Sequence, residues 1–330
     1  MKFLIAGFGS IGRRHFRNLQ ELGHKEIVLL RSGRSTLPTE ELQDFIVEQD
    51  MDAALAHRPD GMIIATPTAS HLDLAIPAAA AGVHLLIEKP VSHSLERVRE
   101  LEAAAKKGGS KILIGFQYRF HPGLIQMKAA IDSGAIGKPI QARVHWGEYL
   151  PDWHPWEDYK QSYSARGDLG GGVTLTLSHP FDYLHWLIGK VMTVSTMVGE
   201  NRVLDIEVDE QSQSLLRFEN GALASVQLDY LQRPAAHWIE IQCEQGYLVC
   251  DFQTNYFKMF NNVEGKLKEF PPDNDFDRNH LFLAQTEHFI NVIDGKAEPN
   301  CTLEDGTHAL EIALAALNSA EQNKLVNLAE

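Results

Sequence analysis

A chain of 330 residues, 44% hydrophobic and 22% charged, is long enough for more than one core and too apolar for wholesale disorder. Its formal net charge of −14 repels nucleic acid and anionic lipid, so neither is an expected partner. Cys243, Cys250 and Cys301 are odd in number and match no zinc or redox spacing, which fits a reducing, cytoplasmic compartment and assigns them no role.

Met1–Ala6 begins like a secretory leader. Gly7, Gly9 and Gly12, then Arg13 and Arg14, break the apolar run, and no small-residue cleavage site follows, so the segment reads as a strand. The apolar stretch from Leu74 to Ile87 holds Pro77 and His84 and is too short to span a bilayer, so no membrane association is expected. In chain order the pattern predicts strand 2–7, helix 12–22 stopped by Gly23, strand 26–30 and strand 61–66. Helix 70–81 stopped by Gly82, strand 83–88, a helix capped by Ser94 and ending before Gly108, and strand 111–116 follow. Strands alternating with helices imply crossover connections and a doubly wound parallel sheet, a Rossmann α/β domain over residues 1–119.

Beyond residue 119 the pattern changes. Strands are expected over 140–149, 191–198, 210–218, 222–230, 238–244 and 247–251, with Asn220-Gly221 as a hairpin turn. Helices are expected over 172–187, 281–293 and 303–322. The prediction for residues 120–330 is an α+β domain on a mostly antiparallel open sheet, whose last helix can pack back on the first domain.

Gly7-Phe8-Gly9-Ser10-Ile11-Gly12 lies between a predicted strand and a predicted helix. Gly7 permits the tight turn, Gly9 lets a pyrophosphate approach the backbone, and Gly12 allows close helix–strand packing. The N–H groups of the opening helix, from Ser10 and Ile11 onward, then face the anion. The acidic residue that would hold a ribose diol about 20 positions later is missing. Arg31, Ser32 and Arg34 occupy that place and suit a 2′-phosphate, so the expected cofactor is NADP or NAD, with NADP favoured.

Glu88-Lys89-Pro90 closes an apolar strand, and in an open α/β sheet reactive groups stand beyond the carboxyl ends of strands. Pro90 restricts the Lys89 backbone. A partly buried amine beside a cationic ring has its charged form disfavoured and can relay a proton. His179 and Asp182, at i and i+3, share a helical face, with Thr176 and Trp186 roughly along it. The segment 146–168 is rich in aromatic and acidic residues, among them Tyr149, Trp153, His154 and Tyr163, and reads as a loop lining a cleft for a polyhydroxylated ring.

The chain resembles the glucose–fructose oxidoreductase, inositol dehydrogenase and rhizopine catabolism (Gfo/Idh/MocA) family. The resemblance is carried by Gly7–Gly12 with Arg13-Arg14-His15, by Ala65-Thr66-Pro67 with His71, and by Glu88-Lys89-Pro90. It continues through Gly115-Phe116, Arg119-Phe120-His121-Pro122, Gly170-Gly171-Gly172 with His179 and Asp182, and Gly306, Ala309 and Leu310. It implies an NAD(P)-dependent oxidoreductase acting on a CH–OH or ketone of a sugar, inositol or nucleotide sugar. Lys89 and His179 would flank the reacting carbon, and Asp182, Tyr149, Trp153, His154, Tyr163 and Arg119 would line the substrate. Thr66, Pro67, His71, Glu88 and Lys89 would join the glycine turn at the cofactor. It also implies a homo-oligomer, dimer or tetramer, formed through the second domain's sheet. Alternatives within the resemblance are an NAD-dependent glycosidase with no net redox change and a non-catalytic, cofactor-sensing regulator.

Two features depart from the family pattern. Thr174-Leu175-Thr176-Leu177 carries no carboxylate where many members have an aspartate before the histidine, and Pro180 follows His179 within a predicted helix. Residues 273–279 imitate a calcium loop, but Arg278 stands at the glycine position and Ala284 at the glutamate position, so no metal is expected.

Overall fold

The computed structural model describes residues 1–33, 40–271 and 275–328. The chain divides into two compact units, Met1–Gln117 with Arg278–Thr307, and Tyr118–Asp277 with His308–Glu330. The second stretch of the first unit lies well past the boundary expected near residue 119.

The first unit holds strands β1 (Phe3–Ala6), β2 (Ile27–Leu30), β3 (Ile46–Glu48), β4 (Gly61–Ile64), β5 (His84–Glu88) and β6 (Ile112–Gly115). Its helices are α1 (Ser10–Glu21), α2 (Met51–Ala56), α3 (His71–Ala80) and α4 (Val98–Gly108). The six strands run parallel in the order β3-β2-β1-β4-β5-β6. β1, β2, β4 and β6 are buried along their whole length, which explains their unbroken apolar runs. The direction of strand addition reverses between β1 and β4, the place where open α/β sheets bind ligands.

Several predicted boundaries move. α4 begins at Val98 with Arg97 as its cap, so Ser94 plays no capping part. Gly108 is the last residue of that helix, and Gly109, at φ +75°, makes the left-handed exit. β3 and α2 were not expected: β3 is a three-residue edge strand with Ile46 and Val47 exposed, too short for a readable alternation.

The second unit holds α5 (Pro122–Asp132), β7 (Pro139–Gly147), α6 (Val173–Thr176), α7 (His179–Ile188) and β8 (Val191–Val198). Strands β9 (Gln211–Phe218), β10 (Leu223–Asp229), β11 (Ala236–Cys243), β12 (Gly246–Asp251), β13 (Tyr256–Asn261) and β14 (Lys266–Phe270) follow. Helix α8 (Asn279–Ile293) belongs to the first unit, α9 (Leu303–Gln322) passes from the first unit into the second, and β15 (Val326–Asn327) closes the sheet. The order is β14-β13-β12-β11-β7-β10-β9-β8-β15. β7 and β10 pair in parallel and the remaining described pairs are antiparallel. β9 and β11 alternate strictly, one face buried and the other open.

The helix expected over 172–187 is two helices. The chain leaves α6 at Leu177 and restarts at His179, which puts Pro180 in the first turn of α7, where no backbone donor is needed. Thr176 therefore does not share a helical face with His179.

α5 starts at His121-Pro122. His121 Nδ1 accepts the Gly123 N–H at 3.1 Å, so Nε2 carries the proton and donates to Asn255 Oδ1 at 3.1 Å. Burial holds this imidazole's pKa down at about 4, against an ordinary 6.5. The unfolded chain then binds the extra proton first, so the stabilisation is complete above pH 6.5 and is lost as pH falls through 4, about 3 kcal/mol in all. Urea unfolding at pH 7 and pH 4 should show that loss in the wild type and a clearly smaller one in His121→Gln.

Candidate functional site

In the first unit the turn after β1 is built by close approach. Gly7 sits at φ +87°, and a Cβ there would lie 2.5 Å from the Ala65 carbonyl oxygen. A Cβ on Gly12 would lie 2.1 Å from the carbonyl oxygen of Gly7. Gly9 is different, with nothing within 4 Å of its would-be Cβ, so the space before α1 is open. Gly9 caps α1, no side chain bonds that cap, and no acidic side chain stands in the first turn that Ser10 and Ile11 begin. Free N–H groups and the positive end of the helix dipole are thus left for an anion, and the turn fits a dinucleotide diphosphate. Thr66 and Pro67 follow β4 across the same switch point, Pro67 exposed and Thr66 half-buried.

Beyond β2, the Arg31 guanidinium lies 5.4 Å from the centre of the buried Phe8 ring, and Arg13 lies 4.8 Å from the same ring. Arg13 and Arg17 both pair with Glu41, Arg17 through Nε at 3.1 Å. Glu41 was not singled out from the sequence, and it neutralises two of the arginines clustered near the cradle. Ser32 is exposed, and Arg34 lies outside the described residues.

Lys89 is half-buried at the end of β5. The carboxylate of Glu88 accepts from His15 Nε2 at 2.8 Å. His71 is buried with its ring between two backbone carbonyls, Nδ1 3.0 Å from Pro90 O and Nε2 3.0 Å from Thr66 O. Burial pushes its pKa down while those carbonyls pull it up, and burial prevails.

In the second unit His179 is buried, its ring centre 4.9 Å from Tyr118 and 5.5 Å from Trp146. Asp182 and Arg119, both expected to meet substrate, meet each other. Arg119 Nε stands 3.1 Å from each Asp182 oxygen and Nη2 stands 2.7 Å from Oδ1, with both residues buried. Arg119 also lies over the Trp186 ring at 5.6 Å. A fork-on-carboxylate pair of this kind leaves Asp182 little capacity for an outside hydroxyl.

The aromatic segment divides. Trp153 lies edge-on to Tyr230 with ring centres 5.5 Å apart, and the Tyr230 hydroxyl reaches Ser164 O at 3.4 Å and bonds Thr176. The half-buried Tyr163 adjoins this group, its carbonyl oxygen 2.3 Å from where a Gly171 Cβ would stand. Tyr149 is covered by Arg233 at 3.8 Å, and Arg233 Nε bonds Asp152 Oδ2 at 2.8 Å. His154 packs against Trp156 at 5.1 Å.

Asp209 was missed from the sequence. Its Oδ2 accepts from Thr174 N at 2.8 Å and from Thr174 Oγ1 at 2.6 Å. A Cβ on Gly172, at φ +101°, would lie 2.1 Å from its Oδ1. Burial raises its pKa against the pull of the Thr174 bonds. The stretch without a carboxylate of its own is therefore served by one from before β9. Among the described residues no cluster of His, Cys, Asp or Glu is placed to hold a metal ion, and no helix is long and apolar enough to cross a membrane.

Residues 1–116 match the oxidoreductase family with the NAD-binding Rossmann fold, and residues 124–249 match the GFO/IDH/MocA C-terminal domain. Scyllo-inositol 2-dehydrogenase (NAD(+)) of Bacillus subtilis is 29% identical, covering 82% of this chain and 78% of that one. Myo-inositol 2-dehydrogenase of Thermotoga maritima is 26% identical over 100% of this chain and 99% of its own length. Among solved structures, a levoglucosan dehydrogenase in complex with NADH has the same fold, with a TM-score of 0.89 at 19% identity over 100% of this chain and 99% of that one. A six-stranded parallel sheet opened by a glycine cradle, a mostly antiparallel second sheet, and two family matches that together span most of the sequence lead to one assignment: the chain belongs to the GFO/IDH/MocA family of NAD-binding oxidoreductases.

Proposed function

We propose that the protein is an NADP-preferring dehydrogenase or reductase acting on a CH–OH or ketone group of a cyclic polyol or sugar derivative. The observation that carries this reading is the shared sheet edge. β1, β4 and β5 run parallel, so the glycine turn, Thr66-Pro67 and Lys89 all emerge at the same carboxyl end. A nicotinamide ring bound there supplies the hydride acceptor or donor. The cradle of Gly7, Gly9, Ser10, Ile11 and Gly12 holds the diphosphate. Lys89, whose amine has its stem half-buried, binds the reacting oxygen or relays its proton. His179 takes or returns that proton from the second unit, an assignment that rests on the family resemblance. The half-buried Trp153 and Tyr163 offer ring faces for a polyol, and relatives named for inositol and levoglucosan support the substrate class. Since Glu41 already occupies Arg13 and Arg17, the NADP preference rests on Arg31 and Ser32.

The test is a panel of inositols, sugars and nucleotide sugars with NAD or NADP, followed by absorbance of the reduced ring. Turnover that requires Lys89 is the expected result. In Lys89→Ala and His179→Ala, kcat should fall on the order of 100- to 10,000-fold. Full activity in both variants would sink the assignment, as a lower KM for NAD than for NADP would sink the cofactor preference. Release of an aryl glycoside's aglycone without net reduction would instead select the glycosidase reading.

The buried Arg119–Asp182 pair anchors α7, which His179 begins. Asp182→Ala strands a buried guanidinium and should cost about 3–5 kcal/mol of stability, read as a lower thermal midpoint.

The open face of the nine-stranded sheet presents Met197, 81% exposed, Leu215, 64%, and Leu223, 52%, among glutamines and serines. We assign this face to a homo-oligomer. Light scattering should give more than the 36.9 kDa chain mass for the wild type, and a mass closer to that value for Leu215→Glu.

A further inference from the structure

Three segments converge on the cofactor edge of the first unit: the turn into α1, the Thr66-Pro67 loop after β4, and the Glu88-Lys89-Pro90 turn after β5. Two histidines join them. His15 stands one turn into α1, 0% exposed, and its Nε2 bonds Glu88, itself 8% exposed. The other Glu88 oxygen rests against Gly115 of β6, where a Cβ would lie 3.1 Å from Oε2 and 2.9 Å from Glu88 Cα. The His15 ring and Phe282 of α8 meet edge to face, centres 5.9 Å apart, so the imidazole is also held by packing. His71 opens α3 and sits between Thr66 O and Pro90 O. Both partners are acceptors, so the neutral ring donates to one of them, and with its proton on Nδ1 it holds the residue after Lys89. The residues on either side of Lys89 thus each lie against a buried imidazole from a neighbouring segment of this edge.

We propose that His15 and His71 are positioning residues that tie the Lys89 turn to the phosphate cradle, so that a diphosphate bound at the start of α1 sets where the Lys89 amine stands. Glu88 serves as the lever through which His15 acts, and neither it nor His71 needs to touch the dinucleotide. A carboxylate–imidazole bond at 2.8 Å out of water is strong and directional, and it transmits a small displacement of α1 to the β5 end rather than absorbing it. The proposal rests on the dinucleotide reading of this same edge.

ADP-ribose separates the two ideas, because it carries the diphosphate and adenosine but no nicotinamide ring to contact residue 89. Hydrogen exchange of the whole chain, read by mass spectrometry, reports the peptides around 8–21 and 86–93 with and without ADP-ribose. In the wild type both should slow, the second on the order of tenfold. In His15→Ala the slowing at 8–21 should remain and that at 86–93 should disappear, and His15→Gln, which can still donate to Glu88, should restore it. His71→Gln should lose the same response. Glu88→Gln, nearly isosteric, puts the question again should His15→Ala fail to fold, and it should weaken the response at 86–93. A brace with no coupling role raises exchange at 86–93 without ligand but leaves the ligand-induced change intact, and that outcome overturns the proposal. Slowing at 8–21 alone in the wild type overturns it equally. No slowing at either peptide would remove the dinucleotide reading and this proposal with it.

Discussion

The first unit depends on backbone meeting backbone at the glycine turn. Gly7 lies against Ala65 and Gly12 lies against Gly7, each so closely that a single added carbon would collide with a carbonyl oxygen. That contact fixes the direction in which α1 leaves β1, and with it the aim of the helix's unpaired donors. It also joins β1 to the end of β4 across the switch in strand order, so the shape of this edge is set by backbone packing before any side chain takes part. Gly9 alone among the three is not needed for packing, and the space beside it is open.

In the second unit charged side chains do the holding. Arg119 and Asp182 lock α7 from beneath, and Asp209 holds the start of α6 through Thr174. Gly171 and Gly172 let the 163–166 segment and Asp209 close over that start, with Gly171 N bonded to Arg166 O and Gly172 N to Ser164 O, both at 2.9 Å. His179 is then the first residue of a helix whose entry is determined on both sides, and Pro180 occupies the one kind of helical position it suits. The aromatic residues that the sequence groups together are sorted by partner: Trp153 goes to Tyr230, while Tyr149 is covered by Arg233.

Much of this was legible from local pattern. Continuous apolar runs marked β1, β4 and β6, strict alternation marked β9, and the glycine spacing marked the cradle. What escaped had a physical reason. β3 is three residues long and half in solvent, and β14 is exposed throughout, so neither carries a hydrophobic period. α5 had a readable signal, a capping residue followed by proline, which was counted only as a family motif. The break between α6 and α7 hides within one apolar stretch, because α6 is buried throughout and α7 everywhere but at His185 and Trp186. Asp209 acts on Thr174 and Glu88 acts on His15 through tertiary bonds, and no spacing in the chain links such positions. Asp182 was read as a substrate ligand because its buried partner, Arg119, lies in another element.

The first unit is discontinuous, and α8 comes from its second stretch. Gly61 of β4 has no side chain because Ile293 and Phe289 of α8 fill the space, with Ile293 Cδ1 2.6 Å from the would-be Cβ, and Phe3 of β1 lies 6.4 Å from Phe289. On the ribosome, the strands that carry the glycine turn emerge first and wait for this covering helix until residues 118–277 of the second unit have been made, on the order of ten seconds. During that interval the face of the sheet that α8 later covers is open to water. The unit that starts first is therefore completed only after most of the other has been made.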